Sequence, residues 1–152
     1  MKEKKGNKAM LLIVVLAIVT VIAAIVHLST REDVAKGTIQ LVMAEETSTI
    51  AISELELEQV TGTRVDGKGD EHEVSAPGIS LKNLLSLEGV GEYAEIQVIA
   101  DDSYAAVLKK SELDEKDNAY LILKEESLRL IVFGDSNSKR SVSNVAQIVV
   151  IE

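Results

Sequence analysis

The hydrophobic residues of this chain follow two different patterns. From Ala9 to Leu28 the sequence is a continuous apolar run, "AMLLIVVLAIVTVIAAIVHL", in which Thr20 and His27 are the only polar residues and none is charged. From residue 38 onward, short apolar stretches alternate with polar turns. A helix rises about 1.5 Å per residue, so about 20 apolar residues span the roughly 30 Å hydrocarbon core of a bilayer. The pattern therefore predicts one membrane-spanning helix followed by a domain rich in β-strands.

The charges around the apolar run predict its orientation. Lys2, Lys4, Lys5 and Lys8 precede the run, against the single acid Glu3. Because lysine-rich flanks stay in the cytoplasm, we expect the protein in the cell membrane with its C-terminal part outside. A cleavable signal peptide is the alternative, but its apolar region is normally about 7–15 residues long and ends at a small-x-small site, and no convincing site follows this run. The predicted organisation is a cytoplasmic tail (1–8), an uncleaved signal anchor (9–28), a linker (29–37) and an extracytoplasmic domain (38–152).

The domain is predicted to be α+β, mostly β with two or three short helices. Ser80 is placed to cap a helix over 81–89 that ends at Gly89, and Pro77-Gly78 is expected to stop the chain before that helix. Ser53 and Glu56 have the spacing of a capping box, and a short helical turn is expected at 109–113. Hairpin turns are predicted at 66–70 ("DGKGD") and 101–103 ("DDS"). The predicted strand regions are 38–43, 48–60 (leading into a turn of helix), 59–65, 71–76, 94–100, 104–108, 119–124, 128–134 and 145–152.

Composition excludes several classes of function. Twelve of the 16 basic residues and 24 of the 25 acidic residues follow the apolar run, so that part of the chain carries a net charge of −12. Such a charge repels nucleic acid and anionic lipid, and an aromatic content of 3% leaves little surface on which bases could stack. The chain contains no cysteine, which excludes disulfides and thiolate chemistry. We expect no nucleic-acid partner.

One acidic loop is a candidate metal site. Carboxylates at this density can hold Ca²⁺, but an EF-hand loop requires glycine at its sixth position and glutamate at its twelfth. Counted from Asp66, those positions hold Glu71 and Pro77. We therefore expect a solvated loop without metal. Its polar members are Asp66, Asp70, Glu71, His72 and Glu73.

Five stretches in the second half of the domain carry a resemblance to a known family. They are "GISLKNLLSLEGV", "ADDSYAAVLKKSEL", "AYLILKEES", "RLIVFGD" and "KRSVSNVAQIVV". In this order, over about residues 78–152, they resemble the oxidoreductase molybdopterin-binding domain, the sulfite oxidase fold. The resemblance implies a mixed α+β domain in which loops grip the phosphate of an anionic pterin. The cofactor-binding residues that it implies are Asp101, Asp102, Tyr104, Arg129 and Arg140.

The sequence departs from that family where the cofactor chemistry resides. The family holds molybdenum through a cysteine thiolate, and the corresponding segment here, "TGTRVDGKGDEHEVSAP", has none. A connection that carries a histidine in the family is reduced to residues 125–127, and the basic side chain of the last turn falls on Ser141 or Ser143. Lys139 and Arg140 can substitute for it in part. The departures predict that molybdenum is not bound.

Two candidate residues also have a purely structural interpretation. Arg129 can pair with Asp101, Asp102 or Glu125 across strands, and Tyr104 can be a half-buried strand residue. No nucleophile elbow, P-loop or Gly-x-Gly-x-x-Gly motif occurs, so catalysis by a protein nucleophile has little support.

Three functions remain. We expect a membrane-anchored extracytoplasmic module that binds a small ligand or a protein partner, without catalytic activity or cofactor. The first alternative is a divergent molybdopterin-dependent oxidoreductase. The second is a structural subunit of a membrane complex, docked through exposed sheet edges near 38–43 or 145–152.

Overall fold

The computed structural model of the protein describes residues 36–152, which form nine strands, two short α-helices and one 3-10 turn (Ile52–Glu54). The predicted tail (1–8), the predicted span (9–28) and most of the linker lie outside these residues. Within 36–152, no helix is long and apolar enough to cross a membrane. The predicted mostly-β composition with short helices is confirmed. The elements are β1 (Thr38–Met43), β2 (Glu46–Ala51), β3 (Glu58–Val65), β4 (Glu71–Ser80), α1 (Leu81–Leu87), β5 (Glu95–Ala100), β6 (Ala105–Lys109), α2 (Lys110–Lys116), β7 (Ala119–Lys124), β8 (Ser127–Val132) and β9 (Val145–Ile151).

The strands form two sheets. The first has the order β2-β1-β9-β5-β6, in which β1 and β9 run parallel and all other neighbours run antiparallel. The second has the order β3-β4-β7-β8 and is antiparallel throughout. One apolar core takes side chains from both sheets and from both helices, because alternate strand residues point to the same face. Its fully buried members include Ile39, Leu41, Leu84, Ile96, Leu113, Leu121, Leu130 and Ile148.

The predicted docking edges are wrong. β1 lies between β2 and β9, and β9 lies between β1 and β5, so both strands have neighbours on each side. The hairpin partner β2 covers the outer edge of β1, and β9 inserts in the middle of the sheet. The edges of this sheet are β2 and β6, so residues 38–43 and 145–151 do not offer a free strand edge.

Helix α1 begins and ends where the sequence predicts. The Ser80 side chain accepts a hydrogen bond from the Asn83 amide at 3.1 Å, which caps the first turn. At the other end Gly89 adopts φ +74°, and the Val90 amide donates to the Leu85 carbonyl, as in a Schellman motif. The predicted capping box at Ser53 is wrong, because that residue lies inside the 3-10 turn and no side chain caps it.

Contrary to the prediction, Pro77-Gly78 does not end the strand, because β4 continues through both residues to Ser80. β4 pairs with β7 from Gly78 to Ser80, but at Pro77 its paired neighbour is β3. A missing amide proton is tolerated where one side of a strand is open. At Gly78 the two strands are so close that a β-carbon would lie 2.5 Å from the Leu121 carbonyl oxygen. On the N-terminal side of that contact, β4 and β7 diverge.

The second sheet also has a small apolar cluster on its other face. Strand pairing places Val60 and Val74 on the same face as Ile122 and Ile131, and these four side chains are 2% to 8% exposed. A β-carbon at Gly62 would lie 2.6 Å from the ring of Phe133, which follows β8. Strand β3 therefore approaches the far end of its own sheet, and the sheet curls around this cluster.

The turn between β7 and β8 consists of Glu125 and Glu126. Both have positive φ, +51° and +66°, and the flanking residues Lys124 and Ser127 are paired across the hairpin. Two successive positive φ values define a type I′ turn, whose twist suits a tight hairpin and which normally contains asparagine and glycine. The direct connection predicted for residues 125–127 is present, with two residues that are unusual for its backbone.

Candidate functional site

Three predicted site residues lie in the turn between β5 and β6. Asp102 accepts a hydrogen bond from the Tyr104 amide at 3.0 Å, which closes the turn locally. The Tyr104 hydroxyl donates to the Lys139 carbonyl, and the Asp101 amide donates to the Asn144 carbonyl at 3.0 Å. The turn is thereby fixed to the 134–144 loop. Tyr104 is 48% exposed and directly precedes β6, so it is a turn residue and not the strand residue that the structural interpretation expects.

Arg140 lies in the same loop, where two carboxylates hold its guanidinium. Its two Nη atoms donate to both oxygens of Glu112 at 2.7 and 2.8 Å, and its Nε donates to Asp135 at 2.9 Å. The hydrogen bonds to Asp135 and Glu112 raise the pKa of Arg140, and the bond from Arg140 lowers the pKa of Glu112. This arrangement ties the loop to α2 and leaves the arginine charge neutralised.

Arg129 has the opposite environment. It lies on the curled face of the second sheet, half-buried, and its Nε is buried without a hydrogen-bond partner among residues 36–152. Among the same residues it forms no ion pair, so the expected pairing with Asp101, Asp102 or Glu125 is wrong. Burial lowers the pKa of Arg129, and the charge of Arg64 lowers it further. Arg129 therefore retains an uncompensated positive charge.

The unpaired arginine lines a cleft of about 740 Å³. The cleft lies where β4 and β7 diverge beyond Gly78, and it extends to the end of the 134–144 loop. Its cationic lining residues are Arg64, Lys124 and Arg129, and its acidic ones are Glu73 and Glu125. The remaining lining residues are Val74, Ser75, Ala76, Pro77, Ile122, Leu123, Ser127, Ile131, Ser143 and Asn144.

Sequence analysis misses Arg64. The residue shares a face with Val60 and Gly62 on β3, and simple alternation would place it there. However, the sequence does not reveal that the sheet curls and that β3 and β8 line the same cleft. Arg129 and Arg64 thus line the same cleft. A neighbouring cluster, held by its own hydrogen bonds, contains Asp101, Asp102, Tyr104 and Arg140.

A second cleft, of about 560 Å³, lies at the other end of the curled face. Tyr120 and Phe133 contribute its aromatic wall, with ring centroids 5.7 Å apart. The Asn118 side chain donates to the Phe133 carbonyl, and its Oδ1 is buried without a partner among the described residues. Asp117 and Glu58 also line this cleft, so its charge is opposite to that of the first.

The acidic loop at 66–70 is organised by its own hydrogen bonds. Asp66 accepts from the amides of Lys68 and Asp70 at 2.8 and 3.0 Å, and its other oxygen contacts His72 Nε2 at 2.9 Å. These bonds, with that of His72 the largest, lower the pKa of Asp66 to about 2. Within residues 36–152, no group of three or more metal-ligating side chains is positioned to hold an ion.

The donor set of the first cleft does not fit a molybdenum cofactor. A soft thiolate holds the metal in the family that the sequence resembles, and this chain has no cysteine to supply one. Of the two arginines assigned to the cofactor by that resemblance, Arg140 is already engaged by Glu112 and Asp135. What the cleft offers instead is two guanidinium groups, those of Arg64 and Arg129, which form no ion pair with another residue among 36–152.

No protein-family model matches this sequence, and no curated protein matches it. The resemblance to the molybdopterin-binding domain therefore rests on the order of its motifs, and it remains a prediction.

Proposed function

We propose that this protein is a single-pass membrane protein whose extracytoplasmic domain binds a small ligand in the cleft at Arg129. In this proposal residues 9–28 anchor the chain, residues 1–8 remain in the cytoplasm and the domain acts outside the cell without catalysis. The observation that carries the proposal is the half-buried guanidinium of Arg129, which lines an open cleft and lacks a carboxylate partner among residues 36–152.

An unpaired arginine is unexpected in so acidic a domain. Taking a charge out of water is costly unless a partner compensates for it, and scaffold charges are normally paired for that reason. Arg140 follows this rule with two carboxylates, while Arg129 has none among the described residues. A residue that departs from the rule inside a cleft is a candidate for function, because a bound ligand can supply the missing charge.

The polar groups of the cleft favour binding over catalysis. Its lining includes neither histidine nor cysteine. The Ser127 hydroxyl donates to the Asn144 side-chain oxygen at 2.7 Å, and an amide oxygen does not activate a nucleophile. The arrangement can hold and orient a ligand, and among residues 36–152 no base contacts a hydroxyl of the lining.

The full-length protein, purified in mild detergent, provides the test. Native mass spectrometry is expected to show a bound small molecule that is lost in Arg129→Gln, while metal analysis finds no molybdenum. Lys109→Gln, which removes an exposed cation of β6 that does not line the cleft, is the matched control and is expected to retain the ligand.

Other results would overturn the proposal. Stoichiometric molybdenum, with pterin fluorescence after denaturation, would identify the divergent oxidoreductase instead. A stable protein partner that co-purifies equally with wild type and Arg129→Gln would favour the structural subunit, docked through a surface other than the 38–43 and 145–152 strands.

A further inference from the structure

Two arginines from non-adjacent strands line the same cleft. Arg64 lies near the end of β3 and Arg129 lies in β8, at opposite edges of the second sheet. Among residues 36–152, neither forms a salt bridge. They are close enough for the charge of Arg64 to lower the pKa of Arg129. Two like charges held near each other repel, and an anion bound between them would offset that repulsion.

The other charged groups of the cleft do not provide that anion. Glu73 and Glu125 are exposed to solvent, and neither makes an ion pair with a described residue. Exposed carboxylates interact weakly with neighbouring cations because water screens them. Lys124 adds a third, exposed positive charge. The partly buried charged residues of the cleft, Arg64 and Arg129, are therefore positive within an acidic domain.

We propose that Arg64 and Arg129 together bind a doubly charged tetrahedral oxoanion, a phosphate or sulfate group carried by a small molecule. This inference rests on the proposed function and assigns the chemical class of its ligand. It also assigns to Arg64 a binding role equal to that of Arg129.

The number of donors favours a tetrahedral group. A carboxylate can accept hydrogen bonds from more than one guanidinium, but it carries a single negative charge and its two oxygens lie in one plane. A phosphate or sulfate group presents more oxygens, in several directions, and can accept from guanidinium groups on two strands at once. Two negative charges also neutralise both arginines, whereas one leaves a positive charge half-buried.

The size of the cleft indicates that the oxoanion is part of a larger molecule. Sites for small molecules usually measure about 300–1,000 Å³, and the cleft of about 740 Å³ falls within that range. A bare ion would leave most of it to water. Inorganic phosphate and sulfate are thus suitable probes of the two arginines, and the rest of the ligand would occupy the remaining volume of the cleft.

Titration calorimetry on the full-length protein in detergent tests the assignment with sulfate, inorganic phosphate and acetate. We expect saturable binding of sulfate and phosphate and none of acetate. Arg64→Gln and Arg129→Gln are each expected to weaken sulfate binding about tenfold or more, because each removes a charged hydrogen-bond donor. Lys109→Gln, which removes an exposed cation of β6 outside the cleft, is the control and should change it by about twofold or less. Thermal denaturation of each variant establishes that it is folded.

The charge state gives a second measurement. Phosphate binding is expected to strengthen from pH 6 to pH 8 as the dianion replaces the monoanion, whereas sulfate binding changes little. Equal binding in Arg64→Gln and wild type would overturn the assignment of Arg64. If wild type retains a ligand that Arg129→Gln loses, but sulfate and phosphate neither bind nor displace it, the ligand class is wrong and the proposed binding function stands. If no ligand is retained and no probe binds, both proposals fail.

Discussion

Two arginines of this domain lie in opposite electrostatic environments. Arg140 is surrounded by Glu112 and Asp135 and joins a loop to α2. Arg129 is half-buried beside Arg64, with its Nε unpaired among the described residues. The first arrangement stabilises the folded state. The second leaves a half-buried charge without compensation among the described residues, which lowers the stability of the folded state. Substitution should therefore affect the two positions in opposite ways.

Arg129→Met is expected to abolish ligand binding without loss of stability. Methionine preserves the aliphatic part of the side chain and removes a charge that has no partner among the described residues. We expect the free energy of unfolding to remain unchanged or to rise by about 1 kcal/mol. Urea denaturation followed by circular dichroism measures it, and a loss of stability would show that the guanidinium has a structural partner after all.

Arg140→Met is expected to give the reverse result. The substitution leaves Glu112 and Asp135, each 20% exposed, without their shared cation. We expect a decrease of about 2 kcal/mol in the free energy of unfolding, less than for a fully buried pair because both carboxylates still reach water. Ligand retention in the folded fraction should equal that of wild type. An unchanged urea midpoint would contradict this account of the cluster.

Asp66 offers a test that depends on pH. Its pKa is lowered from the usual 3.8 to about 2 by hydrogen bonds from His72 and from two backbone amides. A carboxyl whose pKa is lower in the folded state stabilises that state above its unfolded pKa, and the contribution is lost as the pH falls from about 4 toward 2. NMR titration of the carboxyl carbon should show a midpoint near pH 2. In His72→Ala the midpoint should rise but remain below 3.8, because the two amide donors remain.

At the scale of secondary-structure elements, the β7–β8 turn contains residues poorly suited to its backbone. Glu125 and Glu126 both have positive φ, where a β-carbon is unfavourable. Replacing them with asparagine and glycine should raise the free energy of unfolding by about 1 kcal/mol, despite the loss of the exposed Lys36–Glu126 ion pair. Glu115→Gly, at an exposed position in the last turn of α2, is the control and should be mildly destabilising. A double variant less stable than wild type would show that the turn favours glutamate for another reason.

Elements were predictable from the sequence wherever short-range chemistry determines them. Ser80 and Gly89 act within a few residues of themselves, and the hairpin at 66–70 closes through its own side chain and glycine, so these features were predicted correctly. Whether Pro77 interrupts β4 depends on which strands flank it at that residue. The interior position of β9 depends on strands that are far away in sequence. Arg64 belongs to this second group, since its meeting with Arg129 requires the curl of the whole sheet.

At the scale of the whole molecule, the membrane anchor is the largest feature that the sequence predicts outside the described residues. We expect the full-length protein to remain in the membrane fraction after alkaline carbonate extraction. Protease added to intact cells should degrade the domain, whereas an epitope placed before Lys2 should be protected until the cells are permeabilised. Release of the domain by carbonate would indicate a cleaved signal peptide, and protection of the domain would reverse the orientation.

The central position of β9 bears on how the domain reaches its final form. Strand β9 separates the β1–β2 hairpin from the β5–β6 hairpin, and both depend on it for hydrogen-bonding partners. During synthesis every other described strand emerges earlier, yet the five-stranded sheet cannot be completed until β9 has emerged. A polypeptide interrupted shortly before Val145 would leave the two hairpins unconnected, with apolar side chains exposed that β9 otherwise covers. Completion of this sheet thus has to wait until β9 has been translated.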